Sequence, residues 1–170
     1  GHGIITEKIR KLLIMNRKKL FINTQINSFN RGYHTVYNYK KMNSLIINES
    51  ELRYELKDKK SNLLMLAKKL CRKISLENII VTRGRWGSVL INFKKGSIIS
   101  CPAFTESTVD TVGAGDTFFA ISSLSIGSKI NNKLSLLISS MAASYSVNQM
   151  GNMFIFNNNI LRKHLSHIFR

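Results

Sequence analysis

The sequence predicts an α/β layered domain built on a mostly parallel sheet, and three observations carry that expectation. Short apolar runs alternate with segments whose apolar residues recur at helical spacing, the order that lays helices over a parallel sheet. Asn78-Ile79-Ile80-Val81 is apolar almost throughout, as a strand covered on both faces must be. Gly113-Ala114-Gly115 suits neither a strand nor a helix interior, yet an apolar stretch over residues 118–126 follows it directly. A loop therefore turns there into a helix N-terminus.

Taken in order, Ile5, Ile9, Leu12 and Leu13 recur at helical spacing and predict a helix before Asn16. Residues 19–23 read as a short buried strand. Residues 24–38 form a polar, Asn-rich stretch, long enough to be a functional loop. Residues 44–47 are a second strand, ending in Asn48-Glu49-Ser50-Glu51 at the mouth of a helix. Ser61 is expected to cap the next helix, whose apolar face is Leu63, Leu64, Ala67, Leu70, Cys71 and Ile74. Lys68, Lys69, Arg72 and Lys73 occupy its wet side. Residues 78–81 are a third strand, and residues 88–93 and 97–100 form a hairpin about Lys94-Lys95-Gly96. After Pro102 come the Gly-rich loop and a helix to about Ser125. A second helix is expected over residues 133–149 and a third from about Asn158. No repeat or linker divides the chain, so residues 1–170 read as part of a single domain.

Composition narrows the function. At 170 residues, 44% of them hydrophobic, the chain can bury one packed core. Cys71 and Cys101 lie in unrelated segments without metal-type spacing and read as reduced thiols of a cytoplasmic protein. No apolar run approaches the ~18 residues of a membrane span, and no signal peptide is recognisable. The formal net charge of +17 raises the question of nucleic acid. Lys and Arg are scattered over the whole chain, however, often beside Asn and Ile, as around Asn157-Asn158-Asn159-Ile160. That is a compositional bias, not a binding stripe, and it argues against nucleic acid as the main partner. His2, His34, His164 and His167 show no ligand spacing and are assigned surface or packing roles. Gly1-His2-Gly3 reads either as a tag scar or as an active-site loop cut open.

The loop at residues 113–116 is the strongest chemical signal. Small residues leave backbone N–H groups uncovered where the helix dipole adds partial positive charge, a setting that suits phosphate. Asp116 falls in the first turn, where it is able to cap the helix or to face the bound anion. An anion cradle beside a carboxylate is what phosphoryl transfer to an alcohol requires: the amides stabilise phosphoryl charge and the carboxylate takes the hydroxyl proton. A Gly-rich turn with Asp116 as a plain cap is the bland alternative. The loop is no Walker A motif, since neither Lys-Ser nor Lys-Thr follows the glycines, and Phe119 stands where a dinucleotide fingerprint needs its third glycine.

The longer string Asp110-Thr111-Val112-Gly113-Ala114-Gly115-Asp116-Thr117-Phe118 resembles the C-terminal signature of the ribokinase-like (PfkB) carbohydrate kinases and matches it throughout. Three more segments are similar to that family in the right order. Asn48-x-x-Glu51 resembles its Asn-x-x-Glu motif, with a solvated helix start as the alternative. Thr82-Arg83-Gly84-Arg85-Trp86-Gly87 resembles Thr-x-Gly-x-x-Gly, with glycines needed only for turn geometry as the alternative. Arg85 departs from the acidic or small polar residue that many members carry. Ser140-Met141-Ala142-Ala143-Ser144 resembles the adenine-facing helix, although relatives often have Asn at the position of Ser140; a small-residue packing face is the alternative. Asn23-Thr24-Gln25-x-Asn27-x-x-Asn30-Arg31-Gly32 resembles a subgroup related to the kinase domain of ADP-heptose synthase.

What the resemblance implies is specific. The fold is a ribokinase-like three-layer sandwich with its N-terminal half missing, and the exposed sheet edge left behind favours association, including a homodimer. ATP lies along Thr82, Gly84 and Gly87, with Ser140 and Ala143 toward the adenine and the phosphates over Gly113, Ala114 and Gly115. Asp116 is the catalytic base, and Asn48 and Glu51 help to order Mg²⁺. Asp110 fixes the loop and lines a monovalent-cation site. Asn27, Asn30 and Arg31 offer hydrogen bonds and one cation to a sugar or sugar phosphate of the heptose type. Some members of the subgroup are fused to a nucleotidyltransferase domain, so a fused or separate partner of that kind is expected. The alternative is a non-catalytic nucleotide- or sugar-binding remnant that works through a partner.

Overall fold

The computed structural model describes residues 5–15, 20–26, 34–104, 113–147 and 157–168. Helix α1 (Glu7–Met15) is followed by strand β1 (Phe21–Asn23), a 3-10 turn (Val36–Asn38), β2 (Lys41–Asn48), α2 (Glu49–Leu56) and α3 (Leu63–Cys71). Next come β3 (Ser75–Thr82), a second 3-10 turn (Gly84–Trp86), β4 (Ser88–Asn92) and β5 (Ser97–Cys101). Helices α4 (Ala114–Gly127), α5 (Asn132–Val147) and α6 (Asn158–Ile168) complete the order. The strands form one five-stranded sheet whose order follows the sequence, so β1 and β5 are its ends. β1, β2 and β3 run parallel, and β2 meets β3 from Lys41 opposite Ser75 to Asn48 opposite Thr82. β4 and β5 are neighbours joined by a short turn, the hairpin expected from Lys94-Lys95-Gly96.

The chain divides into two compact units, Gly1–Arg83 with Val89–Ile98, and Gly84–Ser88 with Ile99–Arg170. In the first, Leu45, Ile46 and Ile47 of β2 and Ile79, Ile80 and Val81 of β3 are buried in succession. Continuous burial means that both faces of these strands are covered, which is why their sequence does not alternate. Leu52 and Leu56 of α2, and Leu66, Ala67 and Leu70 of α3, form one core cluster with Leu45, Ile47, Ile79 and Val81. The interior is not wholly apolar. Asn78 Nδ2 donates to Ser44 Oγ (3.2 Å), and Asn92 Nδ2 donates to Asn78 Oδ1 (2.7 Å), linking β2, β3 and β4 through buried side chains. Asn92 Oδ1 accepts the N–H of Lys95 at 2.6 Å and so ties the ladder to the hairpin turn. The ladder is tolerated because each member is paired; an orphaned buried group costs about 1–3 kcal/mol.

Two expectations need correction. The cap of α3 is Asn62, not Ser61: Asn62 Oδ1 accepts the N–H of Met65 at 2.9 Å. Ser61 is drawn away by Asp58, which accepts its N–H and its hydroxyl, each at 3.0 Å. β2 and β3 are also longer than their apolar centres, because hydrogen bonding between them continues into the flanking polar residues, while β4 stops one residue short of the expected range. Helix α1 has the predicted spacing but buries none of its residues, and Ile9 and Leu12 stay 41% and 53% exposed.

In the second unit α4 and α5 pack together. Phe118, Ser122 and Ser125 of α4 are buried, as are Ser135, Ser139, Met141 and Ala142 of α5. Ser122 Oγ donates to the carbonyl of Phe119 (3.2 Å) and Ser139 Oγ to that of Ser135 (2.7 Å). These two hydroxyls are satisfied on their own helices, whereas Ser123 Oγ of α4 is buried without a partner among the described residues.

Candidate functional site

The carboxyl ends of β2 and β3 bring Asn48 and Thr82 side by side in register. In open α/β sheets ligands enter at that edge of the strands. Asn48 ends β2 and caps α2, its Oδ1 accepting the N–H of Ser50 at 2.9 Å. Glu51 answers it: Oε2 accepts the N–H of Asn48 (3.0 Å), and Oε1 accepts the N–H of Ile26 beyond β1 (3.2 Å). Asn48-x-x-Glu51 is therefore a capping box, which also ties the start of the Asn-rich loop to α2. Each carboxylate oxygen keeps lone-pair capacity after one N–H bond. Among the described residues no group of three or more His, Cys, Asp or Glu could hold a metal ion. Mg²⁺, which keeps its waters and uses few carboxylates, fits a single Glu51 acting through water.

Sequence reasoning passed over Glu49. Its Oε2 accepts Arg83 Nε–H at 2.7 Å, and its Oε1 accepts Arg53 Nε–H (3.0 Å) and Nη2–H (2.6 Å). The bond from Arg83, above all, holds the Glu49 carboxyl below its ordinary pKa, with Arg53 adding to the effect and burial opposing it. The Glu49–Arg53 half was legible as an i,i+4 pair; the Arg83 half joins residues far apart in sequence and left no local signal.

The turn after β3 is framed by two left-handed glycines, Gly84 (φ 55°) and Gly87 (φ 77°), and closed by Gly87 N–H donating to the Gly84 carbonyl at 2.9 Å. They differ in what surrounds them. A Cβ on Gly84 would meet open space, whereas one on Gly87 would stand 2.1 Å from the Cys101 carbonyl oxygen and 2.7 Å from the Pro102 carbonyl carbon. Between them, Arg85 lies over the exposed Trp86 ring, 4.9 Å from its centroid. Ser88 Oγ sits 3.2 Å from Ser140 Oγ in a buried contact, so the penultimate helix and the residue after Gly87 meet directly. Burial raises the Cys101 thiol pKa, while a hydrogen bond with Ser140 lowers it. Ala143, one turn on, is half-buried.

Gly113 is the N-cap of α4 at φ 82°, with no side-chain cap bond. The first-turn amides of a helix have no intrahelical acceptors, and Gly113, left-handed and without a side chain, supplies no cap to them. A Cβ on Gly115 would meet open space. Among the described residues no side chain covers the amide surface of the first turn at that point, which is what an anion cradle needs. Asp116 occupies the first turn of α4, exposed, and is not its cap. Asp110, Asn27, Asn30 and Arg31 lie outside the described residues.

The family model described as pfkB family carbohydrate kinase matches residues 5–154. The bifunctional protein HldE of Bradyrhizobium diazoefficiens is 30% identical over 98 residues, 58% of this chain and 20% of that protein. Among solved structures, ribokinase from Thermotoga maritima superposes with a TM-score of 0.77 at 19% identity, covering 94% of this chain and 53% of its own. Arabidopsis thaliana ribokinase complexed with ribose and ATP gives 0.71 at 20% identity, covering 86% and 47%. The fold is ribokinase-like, and the chain spans about half the length of these structures. No described helix is long and apolar enough to cross a membrane.

Proposed function

This chain belongs to the pfkB family of carbohydrate kinases, and from that premise we propose that it is the nucleotide-side, catalytic part of an ATP-dependent phosphotransferase acting on a sugar or sugar phosphate hydroxyl. The observation that carries the reading is the start of α4: a left-handed Gly113, a Gly115 whose Cβ position is open among the described residues, and an exposed Asp116, all within residues 113–116. Amides of that turn stabilise negative charge on a transferring phosphoryl group. Asp116 accepts the proton of the attacking hydroxyl, so the oxygen becomes nucleophilic as the bond to phosphorus forms. Mg²⁺ bound with ATP supplies further neutralisation of phosphate charge. Glu51, whose carboxylate is fixed by two backbone N–H bonds, and Asn48, fixed by its capping role, are assigned to help order that ion. Thr82, Gly84 and Gly87 are assigned to the nucleotide, with Ser140 and Ala143 toward the adenine. Asp110 is assigned to the loop and a monovalent cation, and Asn27, Asn30 and Arg31 to the acceptor. A nucleotidyltransferase partner, fused or separate, is assigned on the resemblance alone; the name of the relative, a bifunctional protein, speaks only of a second activity in that protein.

The test is ATP consumption by the chain with aldoses, hexose phosphates and heptose phosphates as acceptors, repeated with Asp116→Asn. Loss of the base is expected to lower turnover about 10²–10⁴-fold while ATP affinity stays within about 2-fold. Near-native turnover in Asp116→Asn would remove Asp116 from the role of base. ATP binding without turnover on any acceptor would favour the non-catalytic reading.

A further inference from the structure

Arg83 is held in a way that the kinase reading leaves unexplained. It follows Thr82, the last residue of β3, so its side chain leaves the sheet where β2 and β3 both end. Glu49, the first residue of α2, receives it through Oε2 and Arg53 through Oε1. Arg53 is fully employed, since its Nη1 also donates to the carbonyls of Lys59 (3.2 Å) and Ser61 (2.9 Å). Arg83 is not. It donates through Nε alone, and its two Nη groups have no acceptor among the described residues, with the side chain 35% exposed. Two guanidinium groups share one carboxylate, so the pair of arginines is not fully neutralised by Glu49, and the Nη side of Arg83 is the donor surface left over among the described residues.

We infer that Arg83 is an anion contact at the ligand edge of β2 and β3, aimed by Glu49, and that it selects nucleotides by their phosphates. The inference rests on the nucleotide-binding reading above. A guanidinium clamped at Nε keeps a planar pair of Nη donors pre-organised, the geometry that phosphate oxygens accept in bidentate fashion. A lysine in its place would carry the charge on a flexible stem and lose the fork. Glu49 is a positioning residue in this scheme: it touches Arg83, not the ligand. A plain surface ion pair would add little and would discriminate between no ligands.

The experiment measures binding of ATP, ADP and adenosine by calorimetry to the wild-type chain, Arg83→Gln, Arg83→Lys and Glu49→Gln, with melting temperatures beside them. Arg83→Gln is expected to weaken ATP and ADP by about 10-fold or more and adenosine by less than about 2-fold. Glu49→Gln should show the same selectivity loss to a smaller degree, and Arg83→Lys should recover part of it. A structural role alone would weaken all three ligands together, in step with the melting temperature. An unchanged ratio of ATP to adenosine affinity in Arg83→Gln overturns this inference and leaves the kinase reading standing. A wild-type chain that binds none of the three ligands overturns both.

Discussion

Glu51 accepts the backbone N–H of Asn48 at 3.0 Å while its other oxygen holds the N–H of Ile26 at 3.2 Å. One carboxylate thus closes the capping box of α2 and pins the chain leaving β1. Glu51→Gln keeps one oxygen acceptor of the two, and Glu51→Ala keeps neither. Stability should fall by about 0.5–1.5 kcal/mol in the first and about twice that in the second, read from urea unfolding. If Glu51 also orders Mg²⁺, the Mg²⁺ concentration for half-maximal turnover rises in Glu51→Gln beyond anything the stability loss explains. An unchanged Mg²⁺ requirement would leave Glu51 a cap only.

The two glycines of the turn after β3 separate turn geometry from close packing. Gly84→Ala places a methyl group in open space and costs only the left-handed backbone, about 1 kcal/mol. Gly87→Ala drives a Cβ to 2.1 Å from a backbone oxygen that has no freedom to yield. That variant should lose about 3 kcal/mol or more, or fail to accumulate folded protein. Equal melting temperatures for the two variants would show that the Cys101–Pro102 backbone moves aside.

The cap of α3 shows where reading the sequence stops. Ser61 and Asn62 are adjacent and both are good caps, so local propensity alone does not choose between them. The choice is made by Asp58, three residues upstream, which takes both donors of Ser61 and leaves Asn62 to the helix. Asn62→Ala should cost about 1 kcal/mol in thermal unfolding through loss of the cap. Ser61→Ala should cost less, because Asp58 keeps Lys69 at 3.1 Å and the backbone N–H of residue 61. The reverse order of costs would restore Ser61 as the cap.

What the sequence made legible follows from the same distinction. The parallel sheet could be read because the apolar runs of β2 and β3 are continuous, and the start of α4 because Gly113-Ala114-Gly115 suits neither a strand nor a helix interior and an apolar run follows it. Contacts between distant residues could not. Nothing local to Asn78, buried in an otherwise apolar strand, announces its bonds to Ser44 and Asn92. Nothing near Arg83 points to Glu49. The family motif drew attention to Glu51, two residues from the carboxylate that organises the charges at this edge.

That carboxylate gives the last prediction, in pH. The folded-state pKa of Glu49 lies below its ordinary value of 4.5, chiefly because Arg83 donates to it. A group whose pKa is depressed on folding binds fewer protons in the folded state than in the unfolded one. Its contribution is therefore fully present above 4.5 and is lost as pH falls through the lowered folded value. Wild type should exceed Glu49→Gln by about 1 kcal/mol at neutral pH, since both arginines are partly exposed. The gap should hold while the acid remains ionised, narrow only on the acid side of 4.5, and close at lower pH. Urea unfolding of both proteins across that range reads it directly. A gap that narrows on the alkaline side instead, or that does not change with pH, would mean that Glu49 stabilises this edge by shape and not by charge.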